Sequence, residues 1–297
     1  MRGGGSTVRQ ATTQKGAGGR AGKDKGAAPA AKLAEEPLFI KALLNRLTTE
    51  NFDELSDQIL AWVNKSEQEK DGETIIVLTK LILEKATDQA VLSEIYARLC
   101  RKLLRQISPN VRDDSVKDSH GRPVVGGRLF CKYLLNVCQE AFERGSIAKE
   151  RAATAGAGKA AGDVTQKAYH ESNNLKGTAL YDDEHKKVQL RWLGVVNFIA
   201  ELFKVQMCTE RIMHECVKCL LRDIKDPPDE EIEGLCCLLV IAGPAMDNVR
   251  ALDHMNVYFN RMAELVKNNK ISPRIRSMVQ VSSLCAFLVA CRRLHTQ

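Results

Sequence analysis

The sequence predicts an all-α protein, and three observations carry that expectation. Through most of residues 38–280, apolar side chains recur at the i, i+3, i+4 and i+7 spacing of one helix face. No segment alternates with period 2 between Asn-Gly or Asp-Gly turns. Outside one low-complexity insertion, the candidate helices pair off every 35 to 45 residues or so, the period of HEAT-type repeats, in which each helical hairpin buries its inner face on its neighbours. The expected architecture is a solenoid of about five antiparallel helix pairs. A compact irregular bundle of the same helices is the alternative.

The elements follow in order. Residues 1–37, rich in Gly, Ala, Lys and Thr, hold only Val8 and Leu33 as larger aliphatics and read as a flexible tail. The first pair covers 38–63: Phe39, Ile40, Leu43, Leu44 and Leu47 share one side of a helix, then Phe52, Leu55, Ile59, Trp62 and Val63 form the face of the next, with Thr48 or Thr49 able to cap it. "ETIIVLTKLILEKA" and "AVLSEIYARLCRKLLRQI" make the second pair, over 73–107. After the Gly126–Gly127 break, "RLFCKYLLNVCQEAF" opens the third pair, which closes with a long helix from about 183 to 206. Between these two lies an Ala- and Gly-rich stretch, about 145–180, without an apolar stripe, expected to loop out. The fourth pair begins with Thr209 as N-cap, breaks at Pro227–Pro228, and restarts at Asp229 to end at Gly243–Pro244. The fifth comprises "DNVRALDHMNVYFNRMAELVKN" and "SPRIRSMVQ", with Ser272 as N-cap and Pro273 at the first helical position.

Charge and cysteine usage narrow the function classes. The net charge of +7 resides mostly outside the repeats: residues 1–37 carry +4, 281–297 carry +2 and 145–187 carry +1. The helical remainder is neutral, so the basic pI does not by itself argue for nucleic acid. Cys216 and Cys219 form a CxxC, but inside an apolar helix, and Cys236–Cys237 lie in another. Zinc sites present such pairs from loops, so these ten cysteines read as small buried hydrophobes of a reducing compartment, with no metal or other cofactor. No apolar run reaches the roughly 18 residues of a membrane span, and the N-terminus lacks the apolar core of a secretory signal. A cytoplasmic protein is expected.

Catalysis is not expected. The chain has no GxxxxGK[ST] loop, no GxGxxG after a strand, and no GxSxG, HExxH or HxE…PCxxC pattern. "GRPVVGGR" reads as a flexible connection, and "YDDEHKK" as acids favouring the dipole of a helix that starts there.

A helical scaffold works through its surfaces. In the long helix, Arg191, Asn197, Glu201 and Lys204 define a polar sector about 140° wide at 100° per residue, and Phe198 falls inside it. An aromatic beside an Arg suits a protein-binding hot spot, and coverage by an adjacent helix is the competing reading. Leu44 lies at the edge of its apolar arc, next to Lys41, where packing competes with partner contact. Arg98, Arg101, Lys102 and Arg105, at i, i+3, i+4 and i+7, form one positive stripe suited to tracking RNA phosphates or to simple solvation. Arg274 and Arg276 open the last helix, where they suit an anion or a partner.

The ordered set "LLNRLTTENFDEL", "LILEKATDQAVLSEIYARLCRKL", "LLNVCQEAFE", "LGVVNFIAELFKVQMCTERIMHECVKCLL", "YFNRMAELVKN" and "SPRIRSMVQ" resembles the middle domain of eukaryotic translation initiation factor 4G across about 38–280. The resemblance implies a crescent of five HEAT-type pairs. It implies a scaffold that binds the DEAD-box RNA helicase initiation factor 4A, contacts mRNA and, in some relatives, initiation factor 3, with no small-molecule substrate. Helicase-binding positions that carry over are Leu44, Leu47 and Phe52 in "LLNRLTTENF", Phe198 and Phe203 in "NFIAELFK", and Arg274 and Arg276 in "SPRIR". Phe52 sits mid-face and could act by packing.

Two departures from the family pattern stand out. None of the five tyrosines is followed by the cap-binding-protein motif Y-x4-L-Φ. After Gln280 the family's charged continuation gives way to the apolar "VSSLCAFLVACRRLHTQ". That tail is expected to be translated from an unspliced intron, since a Val codon begins with the GT of a donor site; continuous transcript reads through codon 280 would overturn this. A related middle-domain protein of mRNA decay, splicing or cap binding, or a generic HEAT adaptor, are the rival functions.

Overall fold

In the computed structural model the backbone is described for residues 29–159, 174–246 and 251–294, and side chains for 37–145, 186–246 and 251–283. Ten α-helices pair as expected: α1 (Pro29–Arg46) with α2 (Phe52–Asn64), α3 (Glu73–Asp88) with α4 (Ser93–Gln106), α5 (Gly126–Lys159) with α6 (Asn174–Lys204), α7 (Glu210–Leu220) with α8 (Asp229–Met246), and α9 (Leu252–Lys267) with α10 (Pro273–Leu294). The even-numbered helices stack in sequence, α2 on α4, α4 on α6, α6 on α8 and α8 on α10, while α1, α3 and α5 form a second row. One core cluster runs through all five pairs, from Ile40 to Val279. Each pair hides its inner face only against the next, which is what makes the array one solenoid.

Local chemistry fixes several boundaries where the sequence placed them. The Thr209 hydroxyl accepts from the Ile212 amide at 3.4 Å and caps α7. Ser272 does the same for Ile275 at 3.4 Å, with Pro273 opening α10. The end of α6 is a Schellman turn: the Gln206 amide bonds the Phe203 carbonyl, the Met207 amide bonds that of Leu202, and Gln206 takes the left-handed conformation at φ 58°.

Several expectations need correction. Between α4 and α5 stands a hairpin, β1 (Arg112–Lys117) antiparallel to β2 (Pro123–Val125), where a flexible connection was expected. Asp118 closes its turn by accepting the His120 and Arg122 amides, and Gly121 supplies φ 75°. Buried Asp113 anchors β1, accepting from the Ser115 amide and hydroxyl and from the Tyr133 hydroxyl on α5. Burial and the bond to Asp113 push the Tyr133 phenol up to about 12. Helix α1 begins at Pro29, inside the expected tail; residues 1–28 lie outside the described set. Much of the expected insertion is helical, as α5 continues to Lys159 and α6 starts at Asn174; residues 160–173 lie outside the described set. "YDDEHKK" therefore falls within α6 and not at its start. α7 stops at Leu220, short of the next Pro-Pro break, and α8 passes Pro244 to end at Met246. Finally, α10 continues unbroken past Gln280 to Leu294, with Ser282 buried.

Candidate partner-binding surface

The turn between α1 and α2 is built by Asn51. Its side-chain amide donates to the Arg46 carbonyl and its oxygen accepts from the Thr48 amide, both at 2.7 Å. The expected Thr48 or Thr49 cap is replaced by this clasp, with Asn51 itself at the N-cap position of α2. Arg46, Thr48, Thr49 and Glu50 are thereby displayed to solvent, while Leu44, Leu47 and Phe52 lie buried behind them. The Tyr96 hydroxyl reaches from α4 to the Leu44 carbonyl at 3.2 Å and fixes the back of the turn.

Phe52 lies under two cations of α4. The Arg98 guanidinium sits 4.5 Å from its ring centroid and the Lys102 ammonium 5.8 Å. Lys102 also contacts Asp57 at 2.6 Å and donates to the Ser56 hydroxyl at 2.7 Å. Arg101 turns the other way and donates to the Gln206 carbonyl at 3.2 Å, holding the Schellman turn that ends α6. The stripe of four bases is thus divided. Lys102 and Arg101 join neighbouring elements, while Arg98 and Arg105 are exposed.

Phe198 is fully buried, and Phe203 nearly so, which corrects the placement of Phe198 in a polar sector. The physical reason is the position of α6, which packs against α3, α4 and α5 on one side and α8 on the other. Between Trp192 and Phe203 the helix is enclosed on several sides, so Asn197 and Glu201 there do not mark a solvent face, while Arg191 and Lys204 at its ends are exposed. Glu201 itself is buried, ion-paired to Lys204 at 2.8 Å. Leu44, at the edge of its arc, is also fully buried. All five apolar positions, Leu44, Leu47, Phe52, Phe198 and Phe203, are buried.

At the other end of the solenoid, Arg274 grips Glu233 of α8 with both terminal nitrogens, at 2.7 and 3.3 Å. That bond raises the Arg274 pKa. Arg276 donates to the Asn268 carbonyl at 3.0 Å and closes the α9–α10 turn. Both arginines are tied to the fold, and Arg274 stays exposed.

Five of the eight described cysteines are core residues. Cys100, Cys138, Cys208, Cys216 and Cys236 are buried, and burial pushes the Cys208 and Cys216 thiols up to about 12. Among the described residues no group of three His, Cys, Asp or Glu could hold a metal ion, and no helix is long and apolar enough to cross a membrane. Sequence reasoning missed one polar cluster. His214 Nδ1 lies 3.0 Å from the Tyr258 hydroxyl, and its ring centroid is 4.9 Å from that of His254, joining α7 to α9. Desolvation first, then the His254 neighbour, lowers the His214 pKa. A depressed histidine stabilises the fold fully above the unfolded value of about 6.5, and that contribution is lost as pH falls toward the folded value. The melting temperature is therefore expected to drop as pH falls below about 6.5, with a smaller drop in a His214→Gln variant; equal slopes in both would contradict this.

Residues 38–284 match the MIF4G domain family. The chain is 41% identical over 241 residues to eukaryotic translation initiation factor 4 gamma of Schizosaccharomyces pombe, covering 81% of this chain and 16% of that one. It is 34% identical over 241 residues to eukaryotic translation initiation factor 4G of Cucumis melo, covering 81% of this chain and 11% of the other. Against eukaryotic translation initiation factor 4 gamma 3 of Mus musculus the identity is 35% over 248 residues, covering 81% and 14%. The chain thus spans less than a fifth of the length of these relatives. The crystal structure of the MIF4G domain of Trypanosoma cruzi translation initiation factor EIF4G5 has the same fold, with a TM-score of 0.50, 15% identity, and coverage of 86% of this chain and 96% of that one.

Proposed function

The chain belongs to the MIF4G domain family, the middle domain of eukaryotic translation initiation factor 4G, and we propose that it holds the DEAD-box helicase initiation factor 4A in a productive orientation while touching mRNA. The family is one of scaffolds, not of enzymes. The observation that best supports the finer reading is the turn 46–51. It is the most exposed part of the motif "LLNRLTTENF" and is clasped by Asn51 on a buried base of Leu44, Leu47 and Phe52. Exposed Arg274 offers a second contact in the last helix pair. Two contacts on one continuous core suit a rigid arc that spans two lobes. Such an arc favours the closed helicase without supplying a catalytic group, because a ligand shifts an equilibrium by its differential affinity for the two states. A difference of about 1.4 kcal/mol shifts closure tenfold. We assign no surface to initiation factor 3.

Direct binding tests the turn. Fluorescence anisotropy with labelled helicase is expected to show an Arg46→Glu/Thr49→Glu variant binding about tenfold more weakly with an unchanged melting temperature. A well-folded variant that binds as tightly as the parent would remove the turn from the interface.

RNA contact rests on Arg98 and Arg105, the two stripe bases that remain exposed. Replacing both by alanine is expected to weaken single-stranded RNA binding uniformly across sequences. It should also flatten the slope of log K against log salt by roughly 1.4, for two lost phosphate contacts. Lys102→Ala is expected to lower the melting temperature and leave that slope alone, because its ammonium is held by Asp57 and Ser56. An unchanged slope in the double variant contradicts the assignment.

A further inference from the structure

A large groove in the solenoid lies away from the surfaces described above. It has a volume of about 1080 Å³ and opens between α3, α5 and α6. Its apolar lining is Leu83 from α3, Val137 and Ala141 from α5, and Val188, Trp192 and Val195 from α6. Trp192 is fixed there, its indole N–H donating to the Phe142 carbonyl at 3.2 Å. Gly145 lets α5 pass over it, since a Cβ at that position would stand 1.8 Å from the indole ring. Along α5 the lining runs from Val137 to Gly145, about 12 Å at 1.5 Å per residue, or two helical turns. On the α6 side of the groove Val188 is 53% exposed.

The rim carries an uneven charge. Among the described residues its lining holds two acids, both engaged, Glu84 by Lys41 at 2.8 Å and Glu140 by Arg144 at 3.1 Å, against the bases Lys80, Arg144 and Arg191; Asp88, next to Thr87 of the lining, pairs with Arg191 at 3.0 Å. Lys80 on the rim, and Lys187 one turn before Arg191, are exposed and make no ion pair among the described residues. An apolar trough two turns long with a surplus of bases on its edges matches an amphipathic helix whose apolar stripe is flanked by carboxylates.

We propose that the groove between α3, α5 and α6 is a docking site for a short acidic amphipathic helix of a partner protein. Residues at i, i+3 or i+4, and i+7 of that helix fill the trough over Trp192, and its carboxylates meet Lys80 and Lys187. The inference does not rest on the proposed helicase contacts, the 46–51 turn and Arg274, neither of which lines the groove.

The test uses the full chain and two fluorescein-labelled, helix-stapled 15-residue peptides. Both carry Leu at i, i+3, i+4 and i+7; one has Glu on its flanks and the other Lys. Saturable binding of the Glu peptide is expected, at least tenfold tighter than that of the Lys peptide and weakening as salt rises. Lys80→Glu/Lys187→Glu is expected to lose at least tenfold for the Glu peptide and to invert the preference, and Val188→Asp to abolish binding of both. Circular dichroism melts should match the parent, since all three substituted residues are exposed. Equal binding of the two peptides, or unchanged binding to the charge-reversed variant, overturns the proposal. So does the absence of saturable binding. Concentration-dependent dimerisation that Val188→Asp removes gives it to a second copy, and overturns the proposal equally.

Discussion

Phe198→Ala is expected to lower stability by about 3–5 kcal/mol, the cost of deleting a buried aromatic ring. Phe198 is wholly inaccessible on α6, which bridges the third helix pair to both neighbouring pairs. The cavity left there cannot collapse easily, because helices border it on several sides. At roughly 2–4 °C per kcal/mol for a domain of this size, thermal denaturation should register a large fall. Helicase binding measured well below the variant's own melting temperature should then stay near normal. A variant that melts like the parent but fails to bind would contradict the burial account and restore Phe198 as a contact residue.

The second large effect concerns Gly127. A Cβ there would lie 1.9 Å from the Leu104 carbonyl oxygen and 2.6 Å from its carbon. These are main-chain atoms of α4, so no side-chain rotation relieves the clash, and the whole first turn of α5 would have to move. Gly127→Ala is expected to cost at least the upper end of the roughly 1–3 kcal/mol typical of overpacking. Gly243→Ala supplies the contrast, because a Cβ there meets nothing within 4 Å. It should be neutral or stabilising by up to about 1 kcal/mol through the unfolded state. Paired urea titrations of the two variants check both. Equal midpoints would show that α4 and α5 do not approach as closely as described.

These two glycines show how far the sequence can be read. Gly126–Gly127 is legible as a break, because glycine ends a periodic run. Its close approach to α4 is not, since the Leu104 carbonyl is a tertiary neighbour. Helix pairing was legible because apolar periodicity is local to each segment, as were the caps Thr209 and Ser272. The hairpin escaped because "RDDSVK" is too polar to alternate, and its anchor, Asp113 on Tyr133, spans 20 residues. The extension of α5 to Lys159 escaped because that stretch has no apolar stripe to signal it.

The candidate site was legible in part, and for the same reason. The α4 stripe has the right spacing for a basic track, but Lys102 is taken by Ser56 and Asp57 of α2, and Arg101 by Gln206 at the end of α6. A helical wheel knows only its own helix. It therefore treated Asn197 and Glu201 as solvent markers and set Phe198 among them, although α8 packs over α6. Motif resemblance pointed to the 46–51 turn, whose apolar letters Leu44, Leu47 and Phe52 lie buried beneath it. The exposed residues, Arg46, Thr48, Thr49 and Glu50, carry no signal of their own in composition or period.

The most direct measurement is the steady-state ATPase rate of initiation factor 4A, with RNA present, as this chain is titrated in. A saturable rise is predicted, with Arg46→Glu/Thr49→Glu shifting the half-maximal concentration about tenfold higher and leaving the melting temperature unchanged. A flat rate with a well-folded chain would contradict the scaffold account and point to a different partner for this solenoid.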